Sequence, residues 1–198
     1  LTSRDDAAAA PNRFARTEGR TWGYDPKAVD AFFDRVEATL QGQPSGEIPD
    51  DAVRAQDVRD VAFGRAHGGY DPSEVDPALD RAEDDLVERE GQQFLRQHGR
   101  EAWEERITEL TDLVFGRLQR SDGERFRTPA GASTRGYARA DVDALCHEIV
   151  EDLSRHETVD PDRIRTAVFG PAVGADSYEE QQVDAFLDRT VELLLTLR

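Results

Sequence analysis

Apolar side chains recur at three- and four-residue steps along most of this chain, the spacing of a helix face. Val29, Phe32, Phe33, Val36 and Leu40 form the first such stripe. Asp25-Pro26 opens it, because a carboxylate at the N-cap accepts orphan N–H groups and Pro at the first helical position has none to lose. That helix is expected to stop near Gly42, with Gln41 to Pro49 as a linker rich in Gly, Pro and Ser. Asp57 to Phe63 reads as a short helix stopped by Gly64. Val75, Leu79, Ala82 and Leu86 mark the next helix, which starts at Asp71-Pro72 with Glu74 at capping-box spacing. Pro77 is expected to bend its first two turns.

Residues 88–118 are helical by pattern, through Phe94, Trp103, Ile107, Leu110, Val114 and Leu118, with a break expected near His98-Gly99. Arg120 to Arg135 is the longest loop-like stretch. A further helix is expected from about Arg139 to Arg155, carrying Val142, Leu145, Ile149 and Leu153. Asp160-Pro161 opens a short one through Ile164, Val168 and Phe169, and the last runs from Val183 almost to Arg198. Residues 1–13 carry no amphipathic period and read as a flexible arm, followed by a loop bearing Trp22. The pattern predicts an all-α fold.

The helices repeat a motif. Tyr24, Tyr70, Tyr137 and Tyr178 each precede a Val by five positions, and each of Val29, Val75, Val142 and Val183 is followed by an Asp: Asp30, Asp76, Asp143 and Asp184. Upstream, Phe63-Gly64, Phe115-Gly116 and Phe169-Gly170 end the short helices, so three copies have a short helix, a loop and a longer helix, and the first keeps only its second part. A copy of about 30–40 residues is too small to bury a stable core alone. Copies one and two are therefore expected to pair within residues 14–90, and copies three and four within 119–198, as two pseudo-symmetric halves. Residues 91–118 would supply a central connecting helix and the short helix of copy three.

Asp57-Val58-Arg59-Asp60-Val61-Ala62-Phe63, followed by Gly69-Tyr70-Asp71-Pro72-Ser73-Glu74-Val75-Asp76, resembles the N-terminal domain of DivIVA, a bacterial cell-division and polar-growth scaffold. Ile164 to Phe169 with Tyr178 to Leu187 resembles it too, and the whole looks like a DivIVA-domain repeat protein. The resemblance implies a dimerising coiled-coil-like helix, a crossed loop, and a loop tip that offers an aromatic beside a basic residue to curved membrane. Arg125-Phe126-Arg127 has that tip chemistry, whereas Gly64 to Gly68 lacks the aromatic and Pro171 to Asp176 lacks both. The implied function is a non-enzymatic cytoplasmic adaptor at the septum or pole. It would act through protein partners; whether the chain also forms a homodimer through exposed strips such as Phe186 and Leu194 is left open by the sequence. The alternative is a peripheral binder of curved membrane using Arg125, Phe126 and Arg127.

Charge narrows the partners. The net charge is −17, nearly even between residues 1–99 and 100–198, so phosphate-rich partners are repelled and nucleic-acid binding is not expected. A broad basic membrane-binding face is likewise excluded. No apolar run is long enough to span a bilayer, and no secretory signal pattern is present. The sequence starts at Leu1 and contains no Met, which leaves room for a preceding segment. The single cysteine, Cys146, fits a reducing cytoplasm.

Candidate chemistry is sparse. The four Asp residues, with Asp34, Asp80 and Asp188 one helical turn on, form ladders that could hold a divalent ion, but each first Asp follows a Val expected in the core. The favoured reading is a structural hydrogen bond to the neighbouring loop or pairing with Arg35, Arg81 or Arg189. The four Tyr rings are read as covers for the first turn of a helix. Cys146-His147 with His156 matches no usual zinc spacing, and no phosphate loop or catalytic triad is evident. No catalytic, metal or cofactor site is expected.

Overall fold

The computed structural model describes residues 12–42, 52–131, 133–155 and 157–197. The fold is mixed α/β, not all-α: helix takes 63% of the described residues and strand 10%, in two small antiparallel sheets. In chain order the elements are β1 (Trp22–Tyr24), α1 (Pro26–Gln41), α2 (Ala55–Asp60), β2 (Arg65–His67), α3 (Pro72–Leu118), β3 (Arg135–Ala138), α4 (Arg139–Ser154), α5 (Pro161–Arg165), β4 (Pro171–Val173), β5 (Ser177–Tyr178) and α6 (Glu180–Thr196). The strands lie in segments read as loops. Strands of two to four residues are too short to show a period-two pattern, and their N–H and C=O groups pair only once distant chain segments meet.

The chain divides into two compact units, residues 1–89 and 90–198. In unit one, β1 pairs antiparallel with β2, setting Gly23 opposite Ala66, and Tyr24 bridges Tyr70. In unit two, β3 pairs with β4, setting Gly136 opposite Ala172, and with β5, setting Tyr137 opposite Tyr178. The backbone bonds thus run between copies one and two, and between copies three and four.

Helix starts follow the local chemistry. The Asp25 carboxylate accepts from Lys27 N at 3.0 Å, and Asp160 accepts from Asp162 N at 3.2 Å, each with Pro next. The capping box at Asp71 and Glu74 does not form: Glu74 instead accepts from Ala15 N at 2.7 Å, and Asp71 caps Ser73 N. The short helices end before their Phe residues, α2 at Asp60 and α5 at Arg165, so Phe63 and Phe169 lie outside them. Inside α3 the non-helical residue is Gly99 (φ 85°, ψ 175°), and Pro77 lies within the helix. Positive φ suits glycine, and the chain folds back there: the Trp103 ring covers Gly91, where a Cβ would approach it to 2.8 Å. Phe115-Gly116 does not end a helix, because α3 continues to Leu118.

The core of unit two gathers Val142, Leu145, Ile149, Ile164, Val183 and Phe186, the apolar stripes of α4, α5 and α6, with Tyr178 of β5. In unit one Val29, Phe32, Phe33, Val36, Val75 and Leu86 are buried. The linker at 43–49 and residues 1–11 of the expected arm lie outside the described residues. Arg13, assigned to that arm, is engaged: its side chain reaches Asp34 at 2.8 Å and Glu37 at 3.1 Å.

Candidate functional site

The four Tyr and four Asp residues of the repeat meet as crossed pairs. Tyr70 of copy two donates its hydroxyl to Asp30 of copy one at 3.2 Å. Tyr178 of copy four donates to Asp143 of copy three at 3.0 Å. The reciprocal pairs complete the pattern, Tyr24 with Asp76 and Tyr137 with Asp184. Each Asp therefore serves the other copy in its unit, and the expected partners Arg35, Arg81 and Arg189 are not what these bonds use. The preceding Val residues, Val29, Val75, Val142 and Val183, are almost fully buried.

The backbones cross at the same place. Tyr24 N donates to Tyr70 O and Tyr70 N to Tyr24 O, both at 2.9 Å. A Cβ on Gly23 would sit 2.4 Å from Tyr70 O, one on Gly69 2.4 Å from Tyr24 O, and one on Gly136 2.0 Å from Tyr178 O. This contact is the physical reason for glycine before tyrosine in three copies. The fourth copy carries Ser177 there, fully buried, with its hydroxyl bonded to Gly174 O.

A second repeat, not singled out in the sequence, completes each crossing. Arg13 N donates to Tyr70 OH at 3.1 Å, and Arg125 N donates to Tyr178 OH at 3.3 Å. Phe14 packs against Tyr70 and Phe33, as Phe126 packs against Tyr178 and Phe186. Two residues beyond each Arg, Ala15 O accepts from Asp71 N and Arg127 O accepts from Glu179 N. On the other side of each crossing, Phe63 packs on Tyr24 and Phe169 on Tyr137, while Gly64 O and Gly170 O accept from Asp25 N and Ala138 N. Phe14 and Phe126 are thus the equivalents of Phe63 and Phe169, so the first copy also has its Phe, and the third copy's Phe is Phe126, not Phe115. The four Tyr residues then follow their Phe by 10, 7, 11 and 9 positions. The available signal was Arg13-Phe14 and Arg125-Phe126, 11 and 12 positions before Tyr24 and Tyr137.

This placement corrects the reading of Arg125-Phe126-Arg127 as a solvent-facing tip. Arg125 is 3% and Phe126 4% exposed, and only Arg127 projects, ion-paired to Glu179. Phe126 cannot touch lipid while it fills the core. The proposed self-association strip is also committed, since Phe186 is buried and Leu194 packs against the core of its own unit.

The crossed pairs differ in electrostatics. Asp143 is buried and receives Tyr178 OH, Gly123 N at 2.8 Å and the Arg125 guanidinium at 2.7 Å. Desolvation pulls the Arg125 pKa down, but bonds to Asp143 and Asp122 more than offset it. Burial and the Asp143 bond push Tyr178 up to about 12. Tyr137 and Asp184 are more open. Desolvation raises the pKa of both, helped at Tyr137 by Asp184 and at Asp184 by Glu180, while the Tyr137 hydroxyl acts in the opposite sense on Asp184.

No protein-family model, curated protein or solved structure matches this chain.

Cys146 is buried, and desolvation pushes its thiol up to about 11. His147 pairs with Asp122 at 2.9 Å, and His156 lies outside the described residues. Among the described residues no group of three His, Cys, Asp or Glu side chains is placed to hold a metal, and no helix is long and apolar enough to cross a membrane.

Proposed function

We propose that the protein is a non-enzymatic adaptor that works with the cytoplasmic division or polar-growth machinery through protein–protein contacts. The observation carrying this reading is the crossed pairing. All four Tyr–Asp motifs are used to lock one copy onto another, as an architectural device, and loops that cross in this way support the reading drawn from the resemblance to DivIVA-domain repeats. In that family the pairing joins two chains, whereas here it joins copies within one. A tagged full-length chain in its source cell should concentrate at septa or poles and be cross-linked there to division proteins. A uniform distribution with no cross-linked partner would overturn the reading.

Peripheral membrane contact is a second reading, favoured by one surface feature. Trp22 is 54% exposed and stacks on His67 at 3.6 Å, with Arg20 O bonded to the His67 ring and Arg65 on the paired strand. An exposed indole beside basic residues suits a lipid interface. Sedimentation with anionic liposomes should pull down the intact chain and lose Trp22→Ser; absence of binding by the intact chain would exclude it.

A further inference from the structure

The loop of copy three gathers a cluster of like charges. Arg117 in the last turn of α3 and Arg120 just past it both donate through Nη1 to the Arg125 carbonyl, at 2.7 and 3.3 Å. The Arg117 guanidinium also lies over the Phe126 ring, 5.2 Å from its centre. Arg127 is close enough to act on Arg117. Burial first, then the charges of Arg120 and Arg127, pull the Arg117 pKa below its ordinary value. All three guanidinia stay charged near neutral pH.

Few acids balance them. Among the described residues neither Arg117 nor Arg120 has a carboxylate within ion-pairing distance. Arg127 reaches one, Glu179 at 3.2 Å, with 73% of its own side chain exposed. Asp122, two residues after Arg120, is drawn instead to Arg125 and His147. The free carbonyls at the end of α3 contribute about half a negative charge, too little for three cations. Each guanidinium has five N–H donors, and Arg117 and Arg120 each use one on the loop carbonyl.

Unit one shows that the crossing does not need this cluster. There Arg13 takes the place of Arg125, and among the described residues no side chain donates to its carbonyl. The Tyr70–Asp30 bond forms all the same, at 3.2 Å. In unit two the convergence of arginines adds repulsion that the architecture does not require.

We propose that Arg117, Arg120 and Arg127 form a binding site for a phosphomonoester dianion. Planar guanidinia present paired N–H donors that match phosphate oxygens. Three of them with one carboxylate nearby suit a double negative charge better than a single one. The net charge of −17 does not forbid this. At physiological salt, charges beyond about 8 Å are largely screened, so one phosphate responds to the arginines beside it, whereas a long polyanion meets the acidic surface around them. The same group occurs in soluble compounds and in phosphatidic acid headgroups, and the test separates the two. The site goes beyond the adaptor reading and does not rest on it.

The full-length ¹⁵N-labelled chain is titrated with glycerol 3-phosphate at about pH 7, where the ester is mostly dianionic, against sodium chloride of matched ionic strength. Saturable shifts are expected at Arg117, Arg120 and Arg127. Arg120→Ala and Arg127→Ala should each weaken binding about fivefold or more. Both side chains are exposed, so neither change should disturb the fold. Arg100→Ala removes the same charge about 25 Å away along α3 and should leave binding unchanged. Sedimentation with vesicles of equimolar phosphatidic acid and phosphatidylcholine forms the second arm. Pelleting that is lost in Arg120→Ala and Arg127→Ala assigns the group to lipid. No pelleting, or pelleting that both variants retain, assigns it to a soluble compound when glycerol 3-phosphate binds. The site is overturned if glycerol 3-phosphate acts no differently from chloride and both variants leave vesicle binding unchanged, or if Arg100→Ala loses as much as they do.

Discussion

Tyr178 donates its hydroxyl to Asp143 at 3.0 Å across 35 positions of sequence, and both residues are buried. Its reciprocal partner in the same unit, Tyr137 with Asp184, lies near the surface. One pair is therefore held in a dry, ion-paired setting and the other in a wet one. Tyr178→Phe leaves a buried carboxylate short of a donor and should cost about 1–3 kcal/mol. Tyr137→Phe should cost less than about 1 kcal/mol. Urea unfolding of the two variants measures the difference, and equal losses would contradict the asymmetry.

The Arg125–Asp143 pair extends the same argument to charge. Asp143→Ala leaves the buried Arg125 guanidinium with Asp122 as its carboxylate partner and removes the acceptor of the Tyr178 hydroxyl, and should destabilise unit two by about 1–3 kcal/mol. Asp184→Asn should change how stability depends on pH. Because the fold raises the Asp184 pKa, the folded state holds that proton more tightly than the unfolded chain. Its contribution to stability is present at low pH and is lost as pH rises through the raised value. The Asn variant should lack that decline, as thermal melts between pH 3 and 7 would show.

Glycine at the crossing is a steric requirement. Gly136→Ala places a Cβ 2.0 Å from Tyr178 O, so the two strands must part and the melting temperature of unit two should fall by several degrees. Gly64 has nothing within 4 Å of its ideal Cβ, and Gly64→Ala should be close to neutral. Differential scanning calorimetry of the two variants checks this.

Phe126→Ala should cost about 3–5 kcal/mol, the range for emptying a core aromatic site. Arg127→Ala should stay within about 0.5 kcal/mol, because that side chain is mostly exposed. A small loss for Phe126→Ala in chemical denaturation would mean that this loop is not part of the core.

High pH should expose the buried acids. Tyr178 at about 12 and Cys146 at about 11 both hold their protons more tightly in the fold than in the unfolded chain. The stability they contribute is complete below their ordinary values and declines as pH climbs through the raised ones. Native Cys146 should therefore resist Ellman's reagent at pH 8 and react fully once urea is added. Rapid reaction of the folded protein would contradict the burial.

Helix stripes such as Val29–Phe32–Phe33–Val36 were legible because three- and four-residue periodicity is a local property of sequence. The Asp25-Pro26 and Asp160-Pro161 starts were legible for the same reason. The sheets were not, since Trp22–Tyr24 and Pro171–Val173 acquire strand geometry only by pairing with distant backbone. The crossed Tyr–Asp bonds were half visible: the spacing showed that the residues recur, but not that each Asp serves the neighbouring copy. Phe115-Gly116 imitated the copy-three terminus and drew attention from Phe126, whose role rests on contacts made 52 and 60 positions later, at Tyr178 and Phe186.

Because each crossed pair is encoded on one chain, dilution does not separate its members. Tethering gives a pairing partner a local concentration on the order of millimolar, whatever the abundance of the protein. Two identical subunits must also mutate together, whereas tandem copies accept substitutions one side at a time. Ser177 in place of glycine and Arg125 buried beside only one of the two aspartates are differences of that kind. A joined pair can thus let the two halves of a symmetric clamp diverge, one crossing dry and ion-paired and the other wet.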